Sequence, residues 1–349
     1  MRFKLIPLFI MIAILTSLFL TACTDTSDQV GNDSGGTSQN GGDSNGDGGD
    51  QNGGDSQDPG DTDTGEDQGQ GSEPTGNIVY NETPTVSVGN VDSDYITGKV
   101  TDYDVKAYYY DTDTTIIFSA SSVAVTGSGA SAAGTTVTIT AGGTYVISGE
   151  CNDGRLIVNT DALSKVHLVL NGLTLRNTTT SPVFIKSADK AVITVVENTV
   201  NTIEDPSVYT TDLDPNAALC AYVNLAINGN GTLNVIGNYN NGIDTNDTLK
   251  VVGAGTYNIT AVKNGLKGND SVIIMDGDIT VSCGKDGVKS DKETDPLEGF
   301  IYVGGGTLRV TAGDDGFQAV TCIQFTGGRI SINATGKDVN CVVVYGYTV

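Results

Sequence analysis

A motif that recurs through the second half of the chain limits the possible folds more than any other feature of the sequence. Each copy consists of a polar pair, a glycine, an apolar residue and a polar residue, as in 285–289 (KDGVK). The motif glycines are 23, 22 and 29 residues apart, at Gly242, Gly265, Gly287 and Gly316. Short runs of β-branched residues follow each glycine, and no helical periodicity is present. A period of about 22 residues that holds short strands predicts one coil of a parallel β-helix per repeat.

The first half of the chain has the same texture without the motif. Strand-like runs recur at 143–148, 166–170 and 191–196. From residue 115 onwards there is room for roughly ten coils, which would enclose one continuous apolar core. The sequence therefore predicts an all-β solenoid at 115–349, with 76–114 as an N-terminal cap over the open edge of the first coil. An antiparallel sandwich or barrel is the main alternative, but it would require hairpin turns every 8–12 residues.

The first 75 residues predict export and a tether. A positively charged start and an apolar run end in 20–23 (LTAC), which has the form of a lipobox. We expect 1–22 to be a lipoprotein signal peptide and Cys23 to carry the lipid, which would hold the protein in the cell envelope, facing the exterior. A retained membrane helix is the alternative. The remaining 23–75 are rich in Gly, Asp, Ser and Asn with almost nothing apolar, so we expect a disordered linker.

The charge of the chain excludes some partners. Its 18 basic and 42 acidic residues give a formal net charge of −24, and the 24–75 segment contains 13 acidic residues and no Lys or Arg. Such a protein is not drawn electrostatically to nucleic acid or to an anionic membrane surface, so the lipid anchor is the predicted membrane contact. Abundant carboxylates suit a calcium-rich exterior, because Ca²⁺ prefers oxygen ligands.

Three segments together resemble a family of bacterial exported carbohydrate-binding domains: 166–177 (VHLVLNGLTLRN), 187–205 (SADKAVITVVENTVNTIED) and 264–291 (NGLKGNDSVIIMDGDITVSCGKDGVKSD). The resemblance covers most of 115–349. It implies a right-handed parallel β-helix similar to polysaccharide lyases, calcium binding, and adsorption to cellulose and acidic pectic polymers. The chain has Asn241 and Asn264 where the family has Asp before the motif glycine, so we expect calcium chiefly in the later coils.

Equivalent residues of successive coils stack about 4.8 Å apart, so the motif register predicts columns of side chains. One column contains Asn241, Asn264, Asp286 and Asp315, and another contains Asp247, Asp270 and Asp291. Stacked carboxylates repel one another unless a cation, interleaved lysines or solvent relieves the repulsion. We predict a Ca²⁺ site with ligands drawn from Asp286, Asp291, Asp314, Asp315, Asp270 and Asp247. Asn and Asp can also stack in a hydrogen-bonded ladder without any metal, and this alternative stays open.

Three lysines of the same repeats, Lys267, Lys289 and Lys285, are the predicted carbohydrate-binding residues, because an ammonium group can pair with the carboxylate of an acidic sugar. Their alternative role is to neutralise the aspartate columns. The chain has no Trp, so any stacking on a sugar ring falls to tyrosines, with 108–110 as a candidate patch and packing of the cap edge as its alternative.

Catalysis is weakly indicated. The Asp pair in 313–316 (GDDG) is similar to that of β-helix pectin hydrolases, but those enzymes also use a Gly-His-Gly segment, and the single histidine, His167, has apolar neighbours in a predicted strand. We interpret the five cysteines after Cys23 as small core residues, with one disulfide as the alternative. We predict no catalytic residue.

The predicted function is therefore that of a cell-surface lipoprotein that binds polysaccharide, an acidic plant-type glycan or cellulose, with calcium. Two alternatives stay open. One is a calcium-dependent polyuronate lyase in which Lys267 or Lys289 acts as the base. The other is a surface adhesin or structural stalk without a glycan ligand.

Overall fold

The structure is a computed structural model, and it describes residues 76–79, 93–341 and 343–345. The predicted signal peptide at 1–22, the lipidated Cys23 and the linker at 23–75 lie outside the described residues. None of the helical structure in the described ranges has the length and apolar character that crossing a bilayer requires.

Almost all regular structure in the described residues is strand. One short helix, α1 (Ser93–Gly98), precedes the coils. The strands are β1 (Gly76–Val79), β2 (Thr114–Phe118), β3 (Val123–Thr126), β4 (Ala130–Ala133), β5 (Thr136–Ile139), β6 (Gly143–Cys151), β7 (Arg155–Asn159), β8 (Lys165–Arg176), β9 (Val183–Ser187), β10 (Lys190–Val195), β11 (Val200–Glu204), β12 (Ala217–Ala221), β13 (Asn224–Gly229), β14 (Thr232–Gly237), β15 (Asn241–Thr245), β16 (Thr248–Val251), β17 (Thr256–Ala261), β18 (Leu266–Gly268), β19 (Ser271–Ile274), β20 (Asp278–Cys283), β21 (Val288–Ser290), β22 (Phe300–Val303), β23 (Thr307–Ala312), β24 (Phe317–Ala319), β25 (Cys322–Phe325), β26 (Arg329–Ala334), β27 (Val339–Asn340) and β28 (Val343–Tyr345).

The strands form three parallel stacks. The ladder face consists of β5, β7, β9, β12, β15, β18, β21, β24 and β27. The cap-side face consists of β2, β6, β8, β10, β13, β16, β19, β22, β25 and β28, and the third face of β11, β14, β17, β20, β23 and β26. The long strand β8 contributes to the last two stacks, since its first half pairs with β10 and its end with β11. Nine parallel strands on the ladder face correspond to nine coils among the described residues, so the predicted parallel β-helix of roughly ten coils is confirmed.

The apolar core lies inside the coils. On the third face every second side chain is buried, as the strand period of two requires. Inward residues therefore stack from coil to coil in one continuous column: Leu233, Tyr257, Ile279, Leu308 and Ile330. The middle strands of the cap-side face are instead buried at every position, because their outer surface is also covered.

The motif glycines are required by close packing between faces. A Cβ on Gly265 would lie 2.2 Å from Val281 Cγ1, and a Cβ on Gly287 would lie 2.2 Å from Val310 Cγ1. At all four motif positions the added atom would also meet a backbone carbonyl oxygen of the next coil at 2.6–2.9 Å. No side chain fits there without displacing the core, which is the physical reason for the repeat seen in the sequence.

Residues 93–113 lie along the outer surface of the cap-side face. Ile96 of α1 is buried against Ile273, Phe300 and Cys322 of three successive coils. The chain then runs towards earlier coils, where the Lys250 ammonium on β16 donates to Lys99 O. The predicted cap segment therefore covers one side of several coils.

The edge of the first coil is occupied by strands that the sequence analysis had counted among the coils. β3 pairs antiparallel with β2, and β4 pairs antiparallel with β5. Residues 93–113 lie along the cap-side face, and the edge of the first coil is covered by β3 and β4 instead. The chain turns back twice onto its first strands, and the added strands pair with the backbone groups that the edge would otherwise leave open.

Candidate metal and polysaccharide site

A column of Asn and Asp side chains runs beside the ladder face, at the turn before each motif glycine. Asn241 Oδ1 accepts a hydrogen bond from the backbone N–H of Asn264 at 3.1 Å, and Asn264 Oδ1 accepts one from Asp286 N–H at 3.2 Å. Asp286 Oδ1 and Asp315 Oδ1 continue the pattern, accepting from the N–H groups of Asp315 and Lys337. The four side chains form the Asx ladder that the sequence analysis left open.

Three carboxylates meet at the late end of this ladder. Asp286, Asp314 and Asp315 each place one oxygen within 4.8 Å of the others. Asp286 and Asp315 are buried, at 5% and 8% exposure, whereas the side chain of Asp314 is about half exposed. An all-oxygen donor set suits a hard cation such as Ca²⁺, whose remaining ligands would be water or sugar oxygens. Within the described residues this is the one group of three possible ligand residues at such short distances.

Two of the predicted carbohydrate-binding lysines already pair with this cluster. Lys289 Nζ lies 2.8 Å from Asp286 Oδ2, and Lys285 Nζ lies 3.4 Å from Asp314 Oδ2. These ammonium groups relieve the repulsion between the stacked carboxylates. A cation that binds the three aspartates must compete with both lysines.

The second acidic column is only partly as predicted. Asp270 N–H donates to Asp247 O at 3.2 Å, so these two residues are neighbours on successive coils. The register between β18 and β21 puts Asp291 one residue out of line with Asp270, because these strands pair with an offset of 22 residues and the two aspartates are 21 apart. Asp291 Oδ2 lies 3.2 Å from Lys267 Nζ, and Asp270 Oδ1 lies 3.0 Å from Lys292 Nζ. These carboxylates are thus paired with lysines and lie outside the cluster of three.

The Asp247 carboxyl group is harder to ionise than an ordinary aspartate. Burial, and after it the charge of Asp270, raise the pKa of Asp247 above its ordinary value. A cation between Asp247 and Asp270 would oppose this shift.

Two buried oxygens on the ladder face have no hydrogen-bond partner within the described part of the chain, Gln318 Oε1 and Asp291 Oδ1. Gln318 aligns with Lys289 across β21 and β24, so its amide lies beside the lysine that pairs with Asp286. A buried acceptor without a donor is costly, and a cation or water would satisfy it. This is a further point of fit for a cation at the late end of the ladder.

Asp244 is a polar residue of this face that the sequence analysis did not include among the site residues. It occupies on β15 the position that Lys267 occupies on β18. Its Oδ2 accepts hydrogen bonds from Asn241 Nδ2 at 2.7 Å and Asn216 Nδ2 at 3.2 Å. Burial raises the pKa of Asp244, although the nearby Lys267 ammonium opposes the rise. The signal was present in 240–244 (NNGID), which has an acid where two later repeats have lysine.

His167 is a buried structural residue of β8, as the sequence analysis expected. Its Nε2 lies 2.8 Å from Thr194 Oγ1, and its Nδ1 lies 3.5 Å from Thr144 Oγ1. Burial, and secondly the charge of Lys106, lower the pKa of His167 to about 4. Cys151, Cys220, Cys283 and Cys322 carry free thiols, and all but Cys283 are buried.

Comparison with known proteins extends these observations. The model of a family described as carbohydrate-binding domain-containing protein matches residues 133–345. A protein of the same description from Acetivibrio thermocellus is 36% identical over 209 residues, which are 59% of this chain and 73% of that protein. A solved structure, the gadolinium derivative of a polysaccharide lyase-like protein from C. thermocellum, superposes with a TM-score of 0.64 at 34% identity, covering 67% of this chain and 96% of that chain. The matched family region includes the whole ladder face from β5 to β27.

Proposed function

Because this chain belongs to the family of carbohydrate-binding domain-containing proteins, we propose that it is a surface lipoprotein that binds an acidic polysaccharide together with Ca²⁺ on its ladder face. Carbohydrate binding in general follows from the family and from the likeness to a polysaccharide lyase-like protein. The acidic polymer, the calcium and the envelope location are the finer parts of the proposal.

The charge arrangement at the late end of the ladder is the observation that carries the proposal. Three carboxylates and two paired lysines, Lys285 and Lys289, leave one net negative charge there. A bound Ca²⁺ would turn this into one net positive charge, which a single uronate carboxylate neutralises. Calcium would be coordinated by the aspartates, and the released ammonium groups would pair with the sugar carboxylate. Calcium and an acidic glycan would therefore bind more favourably together than either would alone.

The N-terminal region completes the proposal. A lipid on Cys23 would hold the chain on the membrane, and a Gly-rich linker over 23–75 would have an r.m.s. reach of about 40 Å. The binding domain would then meet a polymer outside the cell while it remains attached.

Affinity electrophoresis tests the proposal. Polygalacturonate, cellulose derivatives and neutral glycans are cast into gels that contain either Ca²⁺ or EDTA. We expect retardation on polygalacturonate with Ca²⁺ and little with EDTA. The double variant Asp286→Asn, Asp315→Asn should lose it. Each Asn keeps the oxygen that accepts from the next coil but loses the charge and the second acceptor oxygen, which receives Lys289 in one case and Asn340 in the other. The matched control Asp278→Asn alters an exposed acid on the third face and should migrate like the wild type. Retardation that is indifferent to both chelator and double variant would reject the calcium part of the proposal.

The likeness to a polysaccharide lyase-like protein favours one second candidate, a calcium-dependent lyase. Such an enzyme needs a basic side chain to remove a proton from the uronate, and Lys289 is held as a donor to Asp286. A lyase leaves an unsaturated product that absorbs ultraviolet light. We expect none from polygalacturonate with Ca²⁺ between neutral and alkaline pH. Steady growth of absorbance above a heat-inactivated control would make the protein an enzyme, and no retention on any glycan would favour an adhesin.

A further inference from the structure

A second polar cleft lies far from the ladder residues, where residues 101–108 meet the starts of β8 and β10. It has a volume of about 630 Å³, which is within the range of small-ligand sites, ~300–1,000 Å³. Its lining combines two tyrosines and three lysines: Tyr103, Tyr108, Lys106, Lys165 and Lys190. Basic and aromatic residues are concentrated here although the chain has a net charge of −24.

Lys106 is the cation of this cleft that has no acidic partner. Lys190 Nζ lies 2.9 Å from Asp104 Oδ1, and Lys165 Nζ lies 4.0 Å from Asp189 Oδ2. Lys106 Nζ donates instead to a neutral hydroxyl, Thr144 Oγ1, at 3.1 Å, and within the described ranges it forms no ion pair. Lys106 can therefore take an external anion without first giving up a carboxylate.

Tyrosine rings flank the same ammonium group. Lys106 Nζ lies 5.3 Å from the ring centroid of Tyr108 and 5.7 Å from that of Tyr103. Tyr108 also meets Tyr110 edge to face, with ring centroids 5.9 Å apart, yet it remains 62% exposed, so much of its ring surface is accessible to a ligand. An open ring beside a cation suits the face of a pyranose that carries a carboxylate, because the C–H face packs on the ring while the charge pairs with the ammonium. Carboxylates of Asp102 and Asp189 in the same lining can accept hydrogen bonds from sugar hydroxyls.

Buried contacts hold this part of the chain in place before any ligand binds. Asp104 is 1% exposed, and its carboxylate pairs with Lys190 and with Lys250 at 3.1 Å. Burial opposes ionisation of Asp104, but the Thr101 N–H and the two ammonium groups outweigh it, so the pKa of Asp104 is lowered. The backbone carbonyl of Lys106 accepts a hydrogen bond from Asn228 Nδ2 at 2.9 Å. Side chains on this segment thus start from a fixed backbone, which reduces the ordering cost of binding.

We infer that this cleft is a second, calcium-independent binding site for one acidic sugar unit of a polysaccharide, with the carboxylate on Lys106 and the ring on Tyr108. The inference rests on the proposed glycan-binding function but uses a different surface. Both sites on one domain would let a single chain hold two places on one polymer, or two polymers.

Calorimetric titration of the full-length protein with trigalacturonate in EDTA tests the inference. We expect saturable binding that Lys106→Met weakens roughly tenfold or more, as loss of a charge-assisted hydrogen bond does. Lys106→Arg should retain most of the affinity, and Tyr108→Ala should weaken binding roughly fivefold. Matched controls are Lys186→Met, which removes an exposed charge from β9, and Tyr109→Ala, which removes a neighbouring ring that is 38% exposed and lies outside the cleft lining. Both controls should bind within twofold of the wild type.

Three results would overturn the inference. The first is absence of trigalacturonate binding in EDTA. The second is equal effects of the cleft variants and their controls. The third is cellotriose, a neutral trisaccharide, binding as tightly as trigalacturonate. The ladder-face proposal is judged separately, because Lys106→Met leaves the clustered aspartates intact and calcium-dependent retardation on polygalacturonate would persist.

Discussion

Replacing Asp205 with Asn should make the protein more stable at neutral pH. Asp205 directly follows β11 and is 2% exposed. Its Oδ1 accepts hydrogen bonds from the N–H groups of Asn238 and Tyr239, and its Oδ2 accepts one from the Tyr209 hydroxyl at 2.7 Å. Burial raises the pKa of Asp205 to about 6 in spite of these donors. Asn would keep Oδ1 as an acceptor, and its amide could donate to Tyr209 while that hydroxyl donates to Ala217 O, 3.1 Å away.

The size of the effect follows from the shift in pKa. A rise from 3.8 to about 6 corresponds to roughly 3 kcal/mol, at about 1.4 kcal/mol per pH unit. The pKa of Asp205 is higher in the folded than in the unfolded state. Its contribution to stability is therefore fully present below about pH 3.8 and is lost as the pH rises through 6. Asn does not titrate, so the free energy of unfolding of the variant minus that of the wild type should increase by roughly 2–2.5 kcal/mol from pH 4 to pH 7, since the unfolded chain is already partly ionised at pH 4.

His167 acts in the opposite direction over the same interval. Its pKa falls from 6.5 to about 4 on folding, so its contribution is present above pH 6.5 and is lost as the pH falls through 4. The two groups largely cancel in the wild type. Asp205→Asn should therefore expose the His167 dependence, and the variant should gain stability as the pH rises.

Urea unfolding at pH 4, 5, 6 and 7 and constant ionic strength measures this difference. Asp278→Asn, an exposed acid on β20, is the control and should run parallel to the wild type. If the profiles of Asp205→Asn and the wild type also run parallel, or if the variant loses stability towards pH 7, the burial argument is refuted.

Three other substitutions test separate parts of the structure. Asp104→Asn leaves the Lys250 ammonium buried without its carboxylate, which costs roughly 3–5 kcal/mol. Amide hydrogen exchange should therefore accelerate in the segment after α1. Unchanged exchange there would mean that the Asp104–Lys250 pair does not hold the segment in place. Gly287→Ala should lower the free energy of unfolding by about 1–3 kcal/mol through overpacking, and the melting temperature should fall. Gly98→Ala is the control, because an added Cβ there meets nothing within 4 Å. Equal melting temperatures for the two variants would contradict the steric explanation. Lys289→Ala removes an ammonium group that competes with a cation for the clustered aspartates. Calorimetric titration should therefore show tighter Ca²⁺ binding than in the wild type. Equal or weaker binding would argue against a cation at that position.

Much of the architecture could be predicted from the sequence because the repeat is a steric requirement. Gly287 has to be glycine wherever the ladder face approaches Val310, so the spacing of the glycines reports the coils directly. The Asx ladder could be proposed for a similar reason, since one residue type occupies the same turn in every coil. Whether lysines or a metal neutralise it depends on side-chain geometry that the residue pattern does not contain, such as the 2.8 Å ion pair between Lys289 and Asp286.

The alignment of Asp291 with Asp270 was wrong by one residue, because Asp270 is five residues after Gly265 and Asp291 is only four after Gly287. Other features had no local signal. Asp104 and Lys250 are 146 residues apart, and nothing in either neighbourhood marks them as partners. Their pairing arises because the segment after α1 runs back over coils that come much later in the chain, so the cleft beside it depends on tertiary structure.

The lengthwise course of that segment also determines how the domain would bear mechanical load. A pull from the N-terminal side first meets β1, which pairs antiparallel with β26, and the next described element is α1, whose Ile96 packs on β19, β22 and β25. From there the tension meets the contact of Lys99 with β16 and then that of Lys106 with β13. These attachments lie on successive coils, so a pull on this segment meets several separate contacts before it reaches the first coil. A domain on a tether that holds a moving polymer would withstand drag best with this arrangement.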